Sequence, residues 1–167
     1  MKPETQIRKA NNSDVAAITE IYSYHVLNGT ASFEIDPPDA KEMAARMADI
    51  VSRGLPYLVA ESGNKIIGFA YATRYRPRVA YRFTLEDSVY VHHEHAGRGI
   101  GAALLEEVIR CCKEWGCRQL VAVIGDSQNK ASVRVHEKLG FRHSGVLHGV
   151  GFKFDRWIDT VFMQLSL

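Results

Sequence analysis

Three glycines at alternate positions, Gly97, Gly99 and Gly101, separate the run Ser88-Val89-Tyr90-Val91 from the apolar-faced segment that begins at Ile100. A strand, a glycine turn and an amphipathic helix in that order constrain the fold more than any other stretch of this chain. Glycine lets the backbone approach a ligand closely, and a helix that opens at such a turn presents unpaired N–H groups and a positive dipole end. The turn therefore suits a phosphate or a pyrophosphate.

The surrounding pattern predicts an α/β layered fold with a mixed sheet. Gln6 to Lys9 alternates as a first strand, and Ser13 is placed to cap a helix from about Asp14 to Leu27, with Val15, Ile18, Ile21 and Tyr22 on its apolar face. Thr30 to Pro38 has no regular period and ends in a double proline, which predicts an irregular connection before a helix over about Asp39 to Ser52. Tyr57 to Glu61 and Lys65 to Ala72 read as a hairpin turning at Ser62-Gly63-Asn64. A basic and aromatic connection follows, from Arg74 to Arg82, and then a strand from Leu85 to Val91. The helix after the glycine turn buries Ile100, Leu104, Leu105, Val108 and Cys112 and ends at Gly116. Leu120 to Ile124 is a continuous apolar run, as expected of a strand covered on both faces, and Asn129 to Leu139 is a short helix closed by Gly140. Two last strands are expected over Arg142 to Leu147 and Thr160 to Leu165.

At 167 residues, 46% of them hydrophobic, the chain is expected to form one domain, residues 1–167, with a substantial core. A formal charge of +2, with Lys and Arg scattered, argues against nucleic acid as a partner. No apolar run reaches the length of a membrane span and the first residues lack the apolar core of a signal peptide, so no membrane association is expected and the cytoplasm is the expected location. Cys111, Cys112 and Cys117 lack metal-ligand spacing and read as small reduced thiols. His92, His93, Glu94 and His95 are neighbours on a turn, point in different directions and have no further ligand spaced to close a tetrahedron, so no metal is expected.

With these elements laid out, the chain resembles the GNAT family of acyl-CoA-dependent N-acyltransferases over nearly its whole length. Glu86 to Val91, the glycine turn, Val121 to Ile124, Ser132 to Phe141 and Gly151 to Phe154 resemble in particular its phosphinothricin acetyltransferase branch. The resemblance implies a central sheet of about seven strands flanked by helices, acetyl-CoA as co-substrate, and a small amino-acid-like amine as acceptor, of the phosphinothricin, methionine sulfoximine or methionine sulfone type. It also implies a homodimer, for which the cluster Phe152, Phe154 and Trp157 offers an apolar surface.

Residue by residue, the resemblance assigns Val89, Tyr90 and Val91 to the pantetheine arm, with a main-chain N–H near Val89 facing the developing oxyanion. Gly97, Arg98, Gly99, Ile100, Gly101 and Ala102 hold the pyrophosphate. The family pattern has Arg or Gln three residues before the middle glycine, where this chain has Ala96, so backbone donors carry the anion here. Glu86 is the candidate general base, since an ammonium must lose a proton before it can attack. His136 stands where many members carry a tyrosine that protonates the departing thiolate, and packing or hydrogen bonding is its other reading. Asn129 and Ser132 are placed to meet the CoA arm, with helix capping as the alternative for Asn129. Arg76 and Arg82, with Tyr75, are assigned to the substrate carboxylate, and Phe33, Glu34 and Lys153 to the same pocket.

Two other classes share some of these features. Gly97-x-Gly99-x-x-Ala102 satisfies a dinucleotide fingerprint, but five residues separate it from its strand and too little chain follows for a doubly wound sheet. A protein N-acetyltransferase would keep the CoA site and need an open groove for a peptide, and a non-catalytic acyl-CoA-binding module would not need Glu86.

Overall fold

Val15, Ile18, Ile21, Tyr22 and Val26 recur at helical spacing, and they form the buried face of helix α1 (Val15–Asn28) in the computed structural model, which describes residues 4–167. The entry to α1 corrects one expectation. Ser13 does not cap the helix: Asn11 Oδ1 accepts from the Ser13 N–H at 2.9 Å and Asp14 Oδ2 accepts from the Asn11 N–H at 2.9 Å, one short 3₁₀ turn earlier. Asp14 is drawn there by Arg8, whose two terminal nitrogens each donate to one of its oxygens at 2.8 Å. Helix α2 (Ala40–Ser52) begins as the sequence predicts, with Asp39 accepting from the Glu42 N–H at 2.8 Å, and it buries Met43, Met47 and Ile50.

The strands are β1 (Thr5–Lys9), β2 (Tyr57–Ser62), β3 (Lys65–Arg74), β4 (Thr84–Val91), β5 (Gln119–Gly125), β6 (Arg142–Lys153) and β7 (Arg156–Ser166). They form one sheet in the order β1-β2-β3-β4-β5-β7-β6. Only β4 and β5 run parallel, because they are the pair joined by a crossover helix, α3 (Ile100–Trp115). Helix α4 (Lys130–Lys138) connects β5 to β6. The mixed seven-stranded sheet flanked by helices is the architecture the sequence pattern implies.

Alternation along β4 shows which helix covers which face. The Tyr90 ring packs edge-on against Tyr22 of α1 at 5.1 Å, whereas the side chains of Val89 and Val91 lie against Gly101 of α3. Helices α1 and α3 therefore cover opposite faces of the sheet. The main core lies between, with Leu104, Leu105, Val108, Phe69, Leu85 and Leu120 all inaccessible to solvent.

The last two strands exceed the expected Arg142 to Leu147 and Thr160 to Leu165. They pair up to Lys153↔Arg156 through a two-residue turn, Phe154-Asp155, in which both residues are left-handed, at φ 53° and 55°. Such a turn ordinarily advertises itself by Gly or Asn, as Gly63-Asn64 does between β2 and β3. Register shifts between His143 and Gly145 and between Leu147 and Gly151 also break the alternation of β6.

Candidate active site

Strands β4 and β5 are paired only from Thr84↔Gln119 to Asp87↔Ala122. Beyond that point they diverge, and a cleft opens in the sheet. Its walls are Asp87 to Tyr90 of β4, Ala122 to Gly125 of β5, and Asn129, Ser132 and His136 of the α4 region, with Ala31 above. The β4 edge from Ser88 to Val91 has no strand partner on this side, so its backbone polar groups are available to an extended ligand.

The glycine turn lies at the end of β4. Gly97 and Gly99 adopt φ 75° and 82°, and Gly99 caps α3 in the left-handed conformation that only glycine adopts without strain. No side chain caps the helix, so the first N–H groups of α3 point out of the turn. Arg98 is exposed and donates from Nη2 to the Glu94 carbonyl at 3.1 Å, beside the turn. The His93 ring stacks on Tyr24 at 3.9 Å and on His92 at 4.5 Å.

Glu86 and Asp87 are consecutive on β4 and so project to opposite faces of the sheet. Glu86 lies on the α1 face, partly buried, opposite Thr73 of β3. Burial, with the Asp87 charge adding to it and Arg76 opposing, pushes its carboxyl up to about 7. Asp87 lies on the α3 and α4 face and meets His136, Oδ2 to Nε2 at 2.9 Å. Sequence reasoning passed over Asp87. Its one signal was its place beside Glu86, and its partner is 49 residues away.

His136 is almost wholly buried, with the edge of its ring against Phe141 at 4.9 Å. Its Nδ1 lies 2.8 Å from the Ser132 carbonyl, an acceptor only, so Nδ1 carries a hydrogen and donates. Burial disfavours the imidazolium, but the Asp87 carboxylate and the Ser132 carbonyl outweigh it and hold His136 above the ordinary histidine range. Asn129 caps α4, accepting from the Ser132 N–H at 3.3 Å, and it also lines the cleft.

The other candidate residues divide into those brought to Glu86 and those placed apart. Arg76 and Tyr75 line an open cavity over β5 and β7 together with Tyr81, Thr84, Val121 and Phe162, and the Arg76 guanidinium lies 5.2 Å from the Tyr75 ring. Arg82 does not line that cavity. It is exposed, lies over the Phe83 ring at 4.7 Å and donates to the Val79 carbonyl at 3.4 Å.

Phe33 lies against Gly125 at the end of β5 and against Gly151 of β6, at the far mouth of the cleft. The loop carrying it is fastened on both sides. Tyr22 Oη donates to Glu34 Oε1 at 2.8 Å and Arg46 Nη1 donates to the same oxygen at 2.7 Å. Burial works against the Glu34 carboxylate, and these two donors hold it below the usual range nonetheless. Lys153, buried, donates from Nζ to the Ser32 carbonyl at 2.8 Å. Burial lowers its pKa, with the Glu34 charge in opposition. Lys153 thus ties β6 to this loop.

Residues 18–141 match the acetyltransferase (GNAT) family. The chain is 55% identical over 161 residues to a phosphinothricin N-acetyltransferase of Alcaligenes faecalis, covering 96% of this chain and 82% of that one. It is 40% identical to an L-methionine sulfoximine/L-methionine sulfone acetyltransferase of Salmonella typhimurium, covering 96% and 94%. The fold superimposes with a TM-score of 0.95 on a phosphinothricin acetyltransferase of the GNAT superfamily from Sinorhizobium meliloti, solved in complex with acetyl-CoA, at 45% identity and covering 98% and 88% of the two chains. A cleft opened in a mixed sheet, a helix entered through a glycine turn, and likeness over nearly the full length agree: the chain belongs to the GNAT family of acetyltransferases.

Proposed function

We propose that this enzyme transfers the acetyl group of acetyl-CoA to the amine of a small amino-acid-like substrate of the phosphinothricin, methionine sulfoximine or methionine sulfone type. The observation that carries the mechanism is Glu86, a carboxylate whose pKa is raised to about 7, on the strand whose free edge forms the cleft. An ammonium donates its proton to Glu86, the freed nitrogen attacks the thioester carbonyl, and the carbonyl electrons move to oxygen, where a β4 main-chain N–H near Val89 receives them. Collapse of that intermediate re-forms the carbonyl and breaks the C–S bond; the attacking nitrogen gives up its second proton to become the amide, and the departing thiolate takes that proton and leaves as free CoA. Of the two roles open to His136, hydrogen bonding is favoured over direct proton donation, because both ring nitrogens are already engaged.

The pantetheine arm occupies the cleft beside Val89, Tyr90 and Val91, and Gly97 to Ala102 cradle the pyrophosphate on main-chain donors. Arg76, which lines the open cavity and acts on Glu86 through its charge, receives the substrate carboxylate, with Tyr75 beside it. Phe33 and Lys153 close the far side. The chain is read as a cytoplasmic homodimer: Val150, Phe152, Phe154 and Trp157 on the β6–β7 hairpin are each more than half exposed, an apolar surface that a second copy would cover. No helix among the described residues is long and apolar enough to cross a membrane.

The test is turnover with acetyl-CoA against methionine sulfone, methionine sulfoximine, phosphinothricin and a panel of peptides, for the natural sequence and for Glu86→Gln. Turnover of the small amines, with Glu86→Gln lowering kcat at least 100-fold and leaving acetyl-CoA binding intact, is expected. Turnover of peptides alone would replace the substrate class, and a fully active Glu86→Gln would remove the base.

A further inference from the structure

Glu86 and Asp87, consecutive on β4, differ in their surroundings, and of the two only Asp87 lines the cleft. Glu86 lies on the α1 face, near Arg76 from the connection after β3 and Tyr71 of β3, whose phenol feels its charge. Asp87 faces the other side, where His136 of α4 is its hydrogen-bond partner and Cys112 of α3 its other titratable neighbour. The side chains of Asp87 and His136 are only 2% and 3% exposed. Asp87 Oδ1 is buried and has no hydrogen-bond partner among the described residues.

This geometry leaves few protonation states. The Ser132 carbonyl forces a hydrogen onto His136 Nδ1. A neutral ring would then turn the bare lone pair of Nε2 toward an ionised carboxylate at 2.9 Å, two acceptors in a dry site. A proton must lie between them, and with that proton on Nε2 the ring is doubly donating. Both donors are then fixed, one by the α4 backbone and one by Asp87, and the ring cannot turn at the edge of the cleft.

We propose that Asp87 is a positioning residue for acetyl transfer, clamping the His136 ring as a double donor on the thioester side of β4 while its charge acts on Glu86, one residue away on the amine side. The part concerning Glu86 rests on the reading of Glu86 as the general base. The clamp does not. The clamp fixes the ring that borders the cleft, and the charge of Asp87 is one cause of the raised Glu86 pKa. Asn in place of Asp87 has the same shape, and its amide can donate to a neutral Nε2, so the hydrogen bond survives while the charge is lost.

Two measurements test this. The first is nitrogen–proton NMR of the His136 ring in the natural protein from pH 5.5 to 9. Both ring nitrogens are expected to remain protonated well past the ordinary histidine midpoint. Asp87→Asn should convert the ring to the neutral form with hydrogen on Nδ1 alone. A ring already singly protonated at pH 7 in the natural protein overturns the clamp, whether or not any variant folds.

The second measurement is the pH profile of kcat/KM. Loss of the Asp87 charge, offset in part by loss of the more distant His136 charge that goes with it, should move its acidic break down by about 0.5 pH unit. A break left in place in folded Asp87→Asn overturns the coupling. Glu86→Gln separates the two readings, since it should abolish the break and leave the His136 spectrum unchanged. A break that survives Glu86→Gln removes the base and leaves the clamp standing on its NMR result.

Discussion

Gly151 and Gly125 are predicted to be required for different reasons, and Phe33 distinguishes them. The three atoms nearest a Cβ at Gly151 would all belong to the Phe33 ring, with Cδ2 at 2.8 Å and Cζ at 2.9 Å among them, well inside van der Waals contact. The ring is 39% exposed and has room to swing outward, so Gly151→Ala should cost about the ring's lost burial, ~1–2 kcal/mol. A Cβ at Gly125 would lie 2.8 Å from Phe33 Cε1 and 3.2 Å from the Thr30 carbonyl carbon, with the Thr30 oxygen nearer still. Backbone cannot rotate away as a side chain can, so Gly125→Ala should cost ~2–3 kcal/mol or more. Phe33→Ala removes the obstacle at Gly151 but not the one at Gly125. In that background Gly151→Ala should cost close to nothing, whereas Gly125→Ala should keep most of its cost. Urea unfolding midpoints of the single and double variants give the coupling directly. Gly151→Ala should also raise KM for the amine and leave KM for acetyl-CoA unchanged, because it dislodges Phe33. Strict additivity of Phe33→Ala with Gly151→Ala would refute the account.

Three further outcomes follow from the electrostatics. The raised Glu86 pKa means that its base form prevails above pH 7, so kcat/KM should fall about fivefold between pH 7 and pH 6, where an ordinary glutamate would give no change. Arg76 lowers the Glu86 pKa, so Arg76→Ala should shift that break upward and raise KM for the amino acid, while Arg82→Ala, placed outside the cavity, should move the break less than Arg76→Ala does. Asp14, held below the usual carboxylate range by Arg8, contributes stability that is fully present above the unfolded pKa and lost as pH falls through the folded one. Asp14→Asn should therefore cost ~2 kcal/mol at pH 7, discounted for the partly exposed Arg8, and much less near pH 2, by urea unfolding at both values.

What the sequence reveals of this fold depends on how far apart the interacting residues lie. Helices α1 to α4, the β2–β3 hairpin and the glycine turn are written in local patterns of apolar spacing, capping residues and Gly63-Asn64, and these are readable. The Phe154-Asp155 turn is not, because its left-handed conformation is imposed by pairing along β6 and β7 and not by residues that prefer it. Asn11 displaced Ser13 as the cap because Arg8, a strand residue, anchors Asp14. The same distinction runs through the site. Glu86 and the glycines stand in a motif, but the Asp87–His136 pair joins β4 to α4, and Phe33 meets Gly125 and Gly151 only after the sheet is assembled.

The parting of β4 from β5 also has a mechanical side. Four residue pairs, Thr84↔Gln119 to Asp87↔Ala122, are all that join the strands β1 to β4 to the strands β5 to β7 within the sheet. The sheet is thus two leaves stitched along a short seam and braced by α3 and α4. A ligand with amide groups laid along the open part of that seam would serve as a removable strand, continuing the stitching that the protein leaves unfinished. Its departure would free the leaves to move against each other, so the stiffness of the whole molecule would follow the occupancy of one gap.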